Sequence, residues 1–375
     1  MINRDRLVET FLTLCRMNTP ARAEAPVADY LQARLEAIGM RCVRDAAASV
    51  TGSNTGNLIA TLPATAAGAH TIFFAAHMDT VEPNPNVQII VEDDLIRTDG
   101  STILGADDRA GIAPLVEALE TIVEQGIPHG TIQAVFTVCE EVGLLGAKAL
   151  DRSLIEAPFG YVLDSSPPVG AVVSAAPSQD SFTVTITGKP AHAGAEPEKG
   201  ISAIQVAAHA IERMRLGRID PETTANIGVI SGGEATNIVC PRVTMAAEAR
   251  SRDPRKLAVQ VQHMVDTWQA SASAFGASVD VQIEHQYDAY RFAEDDPVVA
   301  LALAAARKVG LPATMKEAGG GSDANVFNAM GLPTCVLGTA MTGVHTHEER
   351  ALISDLCATA ELVVAIVAEG AARQR

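Results

Sequence analysis

The sequence predicts an α/β fold, an open and mostly parallel sheet with helices on both faces, interrupted by an inserted two-layer α+β domain. Three observations carry this. Strand-like runs that end in His or an acid, then a turn and a helix, recur early in the chain, as in open α/β sheets that present a site at their strands' carboxyl ends. The middle of the chain changes to alternating strand-like runs. From Pro297 the first pattern resumes. A length of 375 residues favours two domains. We place them at 1–178 with 292–375, and at 179–291, where Pro177 and the acidic Glu294-Asp295-Asp296 mark the crossings.

Arg4 to Cys15 and Ala25 to Ile38 read as amphipathic helices, the second stopping at Gly39. Strand-like runs follow at Asn57 to Thr61 and Thr71 to Ala76. The second ends in His77-Met78-Asp79-Thr80-Val81, where residues two apart project to the same side, as suits a metal-binding His beside a carboxylate that steers it. A structural His at a strand end is the ordinary alternative. The run Asp99 to Gly111, with Asp107 and Asp108, precedes a helix from about Ile112 to Glu124. Acids there cap a helix and complement its dipole, but capping needs only one of them.

The apolar run with Ile132, Val135, Phe136 and Val138 leads into Glu140-Glu141-Val142-Gly143. Neighbours on extended backbone point in different directions, so adjacent carboxylates can divide two jobs around one site. Another strand, Gly160 to Leu163, ends at Asp164. In the inserted segment Ser181 to Thr187, Asn226 to Ile230, Val243 to Arg250 and Val279 to His285 alternate like strands, while Gly200 to Leu216 and Arg255 to Phe275 read as helices. Beyond it an Ala-rich helix reaches about Val309, Gly319 to Asn325 opens another, and the strand Thr334 to Leu337 leads to a loop holding His345 and His347. Ile353 to Ala368 is a final packing helix.

Composition excludes several roles. A net charge of −17 repels a phosphate backbone, and 4% aromatic residues make a poor base-stacking surface, so no nucleic-acid partner is expected. The first residues lack the apolar centre and cleavage site of a secretory signal, and no apolar segment approaches the ~20 residues that span a bilayer. These features set the expectation of a soluble, cytoplasmic protein without membrane contact. Six cysteines, widely spread, suggest neither a disulfide framework nor a thiolate zinc site.

A borderline-soft divalent ion such as zinc takes imidazole and carboxylate ligands, and a catalytic pair needs about three protein groups per ion with one shared. His77, Asp107 and Asp164 can serve one ion. Asp107, Glu141 and His345 can serve the other, with Asp107 bridging. The same donors suit cobalt or manganese. Glu140 is left without a metal, free to move a proton between a bridging water and a leaving amine. Asp79 orients His77 from behind.

The ordered motifs His77 to Val81, Asp99 to Gly111, Glu140 to Ala147 and Gly319 to Asn325 resemble the co-catalytic di-zinc exopeptidases and deacylases, most closely the peptidase T-like branch. The resemblance covers nearly the whole chain in order, which is far more specific than any one motif. It supports the ligand split above. It implies an inserted lid domain that forms a homodimer, and a cis peptide between Asp107 and Asp108. Gly188-Lys189-Pro190-Ala191-His192-Ala193-Gly194 resembles the lid motif whose His reaches a neighbouring subunit's active site to polarise the scissile carbonyl. Asn237 and Arg250 resemble lid positions that contact substrate. Gly320 and Ser322 are candidate contacts in a glycine stretch that offers backbone amides to a substrate carboxylate or simply turns tightly.

The family's last ligand sits in a His-Thr or His-Ser step with Glu four residues on. His345 and Glu349 fit that pattern and His345 is favoured, while His347 competes from the same loop. The resemblance implies metal-dependent hydrolysis of an amide bond in short peptides, of the aminopeptidase type with a tripeptide preference. An N-acyl-amino-acid deacylase or a carboxypeptidase can use the same site. A metal-holding scaffold without turnover is the reading of another class, and Glu140 beside a full ligand set argues against it, since holding metal needs no general base.

Overall fold

A computed structural model describes residues 1–372 of the chain. The chain forms two compact units, one of Met1–Ser174, Arg291–Glu317 and the segment from Ser322 onward, the other of Ala175–Tyr290 with Ala318–Gly321. The short stretch Ala318–Gly321 joins the second unit although it lies far along the chain, which periodicity gives no way to foresee.

The first unit is built on a nine-stranded sheet. Its centre is parallel, in the order Ile132–Thr137, Ile72–His77, Gly160–Ser165, Thr334–Gly338. Antiparallel strands flank it, Leu58–Leu62 and Arg41–Arg44 on one side and Ala171–Ala176 on the other. Every residue of Ile72–His77 and Ile132–Thr137 is buried, which explains why they read as continuous apolar runs. Because they are parallel and His77 pairs with Thr137, their carboxyl ends emerge on one edge of the sheet.

Helices Arg4–Cys15, Ala25–Ala37, Ala106–Gln125, Pro297–Lys308 and Ile353–Ala372 contribute to one hydrophobic core with this sheet. Ala106–Gln125 is the central one, buried from Ala106 through Ile122. A helix so enclosed cannot leave its acids unpaired. Glu117 takes a bond from Arg6 Nε at 2.7 Å and Glu120 one from Arg34 Nε at 2.9 Å. Gly111 lets the helix approach the sheet, since a Cβ there would lie 2.2 Å from the Leu163 carbonyl oxygen. The helix begins six residues before the predicted Ile112, with Asp107 and Asp108 in non-helical conformations inside its first turn.

One structure escaped the sequence reading. Ile89–Glu92, Leu95–Thr98, Arg350–Leu352 and Met341–Thr342 form a separate four-stranded sheet. Its strands are two to four residues long, too short for alternation to register. Met341–Thr342 and Arg350–Leu352 pair antiparallel, so the loop bearing His345 and His347 is the turn of a hairpin. No helix among the described residues is long and apolar enough to cross a membrane.

The second unit is an antiparallel five-stranded sheet in the order Gly217–Arg218, Thr223–Gly232, Arg242–Ser251, Ser178–Thr187, Ser278–Tyr287. The sequence predicts four strands, and the fifth is the two-residue Gly217–Arg218. Helices Ala203–Arg213 and Pro254–Phe275 form the second layer, and Phe182, Val184 and Ile186 pack with Val206, Met264 and Trp268 in a core of their own.

Candidate metal centre

The parallel strands deliver the site. His77 is the last residue of Ile72–His77, Asp164 the next to last of Gly160–Ser165, and Glu140 and Glu141 follow Ile132–Thr137. Asp107 enters from the first turn of Ala106–Gln125 and His345 from the hairpin turn. The peptide bond between Asp107 and Asp108 is cis.

Asp107 stands between the two imidazoles. Its Oδ1 lies 2.9 Å from His77 Nε2, and its Oδ2 lies 3.2 Å from His345 Nε2. Glu141 Oε2 is 3.3 Å from the same His345 nitrogen. Ligand atoms of His77, Asp107 and Asp164 come within 4.8 Å of one another, as do those of Asp107, Glu141 and His345. A further group of the same span joins His77 with Glu140 and Glu141. His77 and Asp107 are buried, while the His345 side chain is 53% exposed and marks the open side of the site.

The supporting residues act mainly on backbone groups. Asp79, fully buried, accepts the Glu140 N–H at 3.0 Å through Oδ1 and the Glu141 N–H at 3.1 Å through Oδ2. His77 Nδ1 lies 3.1 Å from the Asp79 carbonyl oxygen and 3.4 Å from its Oδ1. One side chain thus fixes both the imidazole and the carboxylate pair. Arg109 is buried behind it, donating through Nη1 to the Asp79 carbonyl at 2.9 Å and through Nη2 to the Thr19 hydroxyl. Glu349 accepts the N–H groups of Gly105 at 2.6 Å and Asp107 at 2.9 Å. Glu24 accepts the Cys139 N–H at 2.9 Å, where the backbone takes a φ of +53° just before Glu140.

The electrostatics of these side chains are those of an acid excess. Burial opposes ionisation of Asp107, but hydrogen bonds from His345 and His77 overcome it and hold its carboxyl well below the usual range. Its own bonds to Asp107 and Glu141 push the His345 imidazole up to about 10. Glu140 and Asp164 are pushed well above the ordinary carboxylate range, first by burial and then by neighbouring acids. Asp323, which the sequence reading had not singled out, is raised to about 6, again chiefly by burial, although its Oδ2 accepts the Thr137 hydroxyl at 2.5 Å. Glu141 Oε1 and Asp323 Oδ1 are buried with no hydrogen-bond partner among the described residues.

Crowded carboxylates with unsatisfied buried oxygens call for positive charge, and mixed imidazole and carboxylate donors around a shared Asp107 fit two divalent cations. His347 is differently engaged, its Nε2 lying 2.9 Å from Glu82 Oε1 and its Nδ1 3.2 Å from the Gly100 carbonyl oxygen.

The remaining sequence candidates have other local settings. His192 is exposed, and its Nδ1 accepts the N–H groups of Gly194 and Ala195 at 3.1 Å each. The neutral ring therefore carries its hydrogen on Nε2 and presents a donor. Asn237 lies beside it, its carbonyl accepting the Ala193 N–H at 2.9 Å. Arg250 and Gly320 lie in the second unit. The Ser322 hydroxyl caps the helix Asp323–Ala329, accepting the Ala324 N–H at 3.3 Å.

Comparison with known proteins places this geometry. Residues 73–369 match the model of peptidase family M20/M25/M40. The chain is 47% identical over 371 residues to the Bacillus subtilis (strain 168) protein YqjE, covering 99% of this chain and 100% of that one. Among solved structures it resembles a tripeptidase from Staphylococcus aureus subsp. aureus mu50, with a TM-score of 0.96 and 42% identity over 100% of both chains. It also resembles aminopeptidase PepT from Bacillus cereus ATCC 10987, with a TM-score of 0.91 and 46% identity over 99% of this chain and 100% of that one.

The setting of the two histidines makes a direct prediction. A metal analysis of the purified His345→Ala protein should show a fall in bound metal of about one ion in two, as the loss of one of about three ligands implies, while His347→Ala keeps its full content. Loss of metal from His347→Ala alone would assign the ligand to His347 instead.

Proposed function

The chain belongs to peptidase family M20/M25/M40, in its peptidase T-like branch, and from that premise we propose that it removes the N-terminal residue from short peptides, tripeptides above all, using two zinc ions. It is a metal-dependent peptidase of the aminopeptidase type. The observation that carries the reading is the Asp107 carboxylate, with one oxygen toward His77 and the other toward His345. Asp164 completes the donors on the His77 side and Glu141 those on the His345 side. Cobalt or manganese can occupy the same donors.

Two divalent cations held by His77, Asp107, Asp164, Glu141 and His345 would polarise the scissile carbonyl and acidify a water. The residues of the chain supply the rest. Glu140 takes a proton from the attacking water as the water's oxygen forms the new C–O bond, and returns it to the amine as the C–N bond breaks. Burial is the first cause of its raised proton affinity, with the neighbouring acids Asp164, Asp323 and Glu141 adding to it. Asp79 holds the Glu140 and Glu141 amides, so base and ligand keep a fixed relation through the cycle.

His192, with an Nε2–H donor facing outward, is suited to the developing oxyanion of a neighbouring subunit's site. Asn237 beside it and Arg250 contact the substrate, with Arg250 receiving its carboxylate. Gly320 contributes a backbone amide, and Ser322 contacts substrate while capping its helix. The second unit is then the lid through which two chains form a homodimer, and the acidic, aromatic-poor surface suits a soluble cytoplasmic enzyme with peptides as its partners.

The alternatives separate by substrate. A free-amine tripeptide should turn over and its N-acetylated form should not; the reverse would make the protein a deacylase. Chelation should abolish activity and zinc restore it. With metals bound, Glu140→Gln should lose ~10²- to 10⁴-fold in kcat, the usual contribution of such a group, and a protein with near-normal turnover would remove Glu140 from the mechanism. Sedimentation should give a dimer, and mixing inactive His192→Ala with inactive Glu140→Gln chains should restore part of the activity. A fully active monomer would contradict the role given to His192.

A further inference from the structure

Within the second unit, strand register alone puts three polar side chains in one row. Arg250 pairs with Gln179 across the contact of Arg242–Ser251 with Ser178–Thr187, and Gln179 pairs with Tyr287 on the next strand, Ser278–Tyr287. Glu248 precedes Arg250 by two residues, so both project from the same face. Arg250 Nε donates to Glu248 Oε1 at 2.9 Å and Nη2 to Oε2 at 2.8 Å, fork against fork. Gln179 Nε2 donates to the same Oε2 at 2.9 Å, so the carboxylate is gripped from two strands. Both charged side chains are about two-thirds buried, at 28% and 33% exposed.

What matters is the nitrogen left over. Nε and Nη2 are committed to Glu248, while Nη1 makes no hydrogen bond among the described residues. It faces Gly320, where a Cβ would lie 3.4 Å away. The next residue, Gly321, donates its N–H to the Tyr287 hydroxyl at 3.0 Å, and a Cβ on it would meet the Tyr287 ring at 2.3 Å. The ring therefore fixes the glycine backbone beside the guanidinium.

We propose that Glu248, backed by Gln179, is a positioning residue that aims the free Nη1 edge of Arg250 at the α-carboxylate of a short peptide substrate. This rests on the reading of Arg250 as a substrate contact. A free arginine samples many rotamers and loses that freedom at each binding event. Here the contacts of Glu248 with Arg250 and Gln179 take that freedom away within the fold itself. Because Glu248 cancels the formal charge of Arg250, discrimination depends on the aim of the Nη1 donor at a carboxylate oxygen rather than on net attraction, and the weaker acceptor of a C-terminal amide is a poor substitute.

The test compares steady-state kinetics on a tripeptide and its C-terminal amide, with thermal melting to verify folding. Arg250→Ala should erase the preference for the free acid. Glu248→Ala should raise KM for the free acid about tenfold more than for the amide, the size of one charge-assisted hydrogen bond. Glu248→Gln, which keeps one acceptor, should recover part of the preference, and Gln179→Leu should lose a smaller part of it. If Arg250→Ala erases the preference but a folded Glu248→Ala keeps it, or affects acid and amide alike, the positioning role is wrong and the substrate contact stands. If Arg250→Ala keeps the preference, the reading of Arg250 itself fails. Should Glu248→Ala not fold, Glu248→Gln and Gln179→Leu decide by the same criterion.

Discussion

The Asp107 carboxylate, caught between two imidazoles that belong to different layers of the first unit, is the interaction on which the rest of that unit depends. His77 reaches it from a wholly buried strand and His345 from the turn of a small hairpin. Neither approach survives if the first turn of the Ala106–Gln125 helix moves. The fold fixes that turn twice, through Glu349 on the amides of Gly105 and Asp107 and through Gly111, which lets the helix lie against the Leu163 carbonyl. Burial would otherwise favour the neutral acid. The paired imidazoles keep Asp107 ionised, the state a shared donor needs.

A ring of supporting acids keeps this arrangement in register without joining the donor groups. Asp79, Glu349 and Glu24 each spend carboxylate oxygens on backbone N–H groups at the points where the chain turns into the site. Charge-assisted bonds of this kind cost little flexibility because the donors are already fixed by the fold. They also hold the adjacent carboxylates in place. The amides of Glu140 and Glu141 are fixed by the two oxygens of one carboxylate; Glu141 reaches the His345 nitrogen, and a Glu140 carboxylate oxygen lies within 4.8 Å of donor atoms of His77 and Glu141.

The parts legible in the sequence are those with a local signature. His77, Glu140, Glu141 and Asp164 follow buried apolar runs, and a polar residue at such a boundary stands out. The parts that were not legible have none. The four-stranded sheet behind His345 is made of strands too short to alternate. Arg109 and Glu24 act on backbone groups and side chains distant in sequence, and a backbone amide looks the same in every residue. Asp323 sits inside a glycine-rich motif, and its burial beside Thr137 comes only from the fold. The Arg250, Gln179 and Tyr287 row depends on register across three strands, which periodicity does not fix.

Crystals of the metal-loaded protein, measured at the absorption edge of the bound metal, test most directly whether Asp107 is shared between two cations. Two anomalous peaks should flank the Asp107 carboxylate, one bounded by His77 and Asp164, the other by Glu141 and His345, with Glu140 outside both shells. A single peak, or a second ion away from Asp107, would contradict the account.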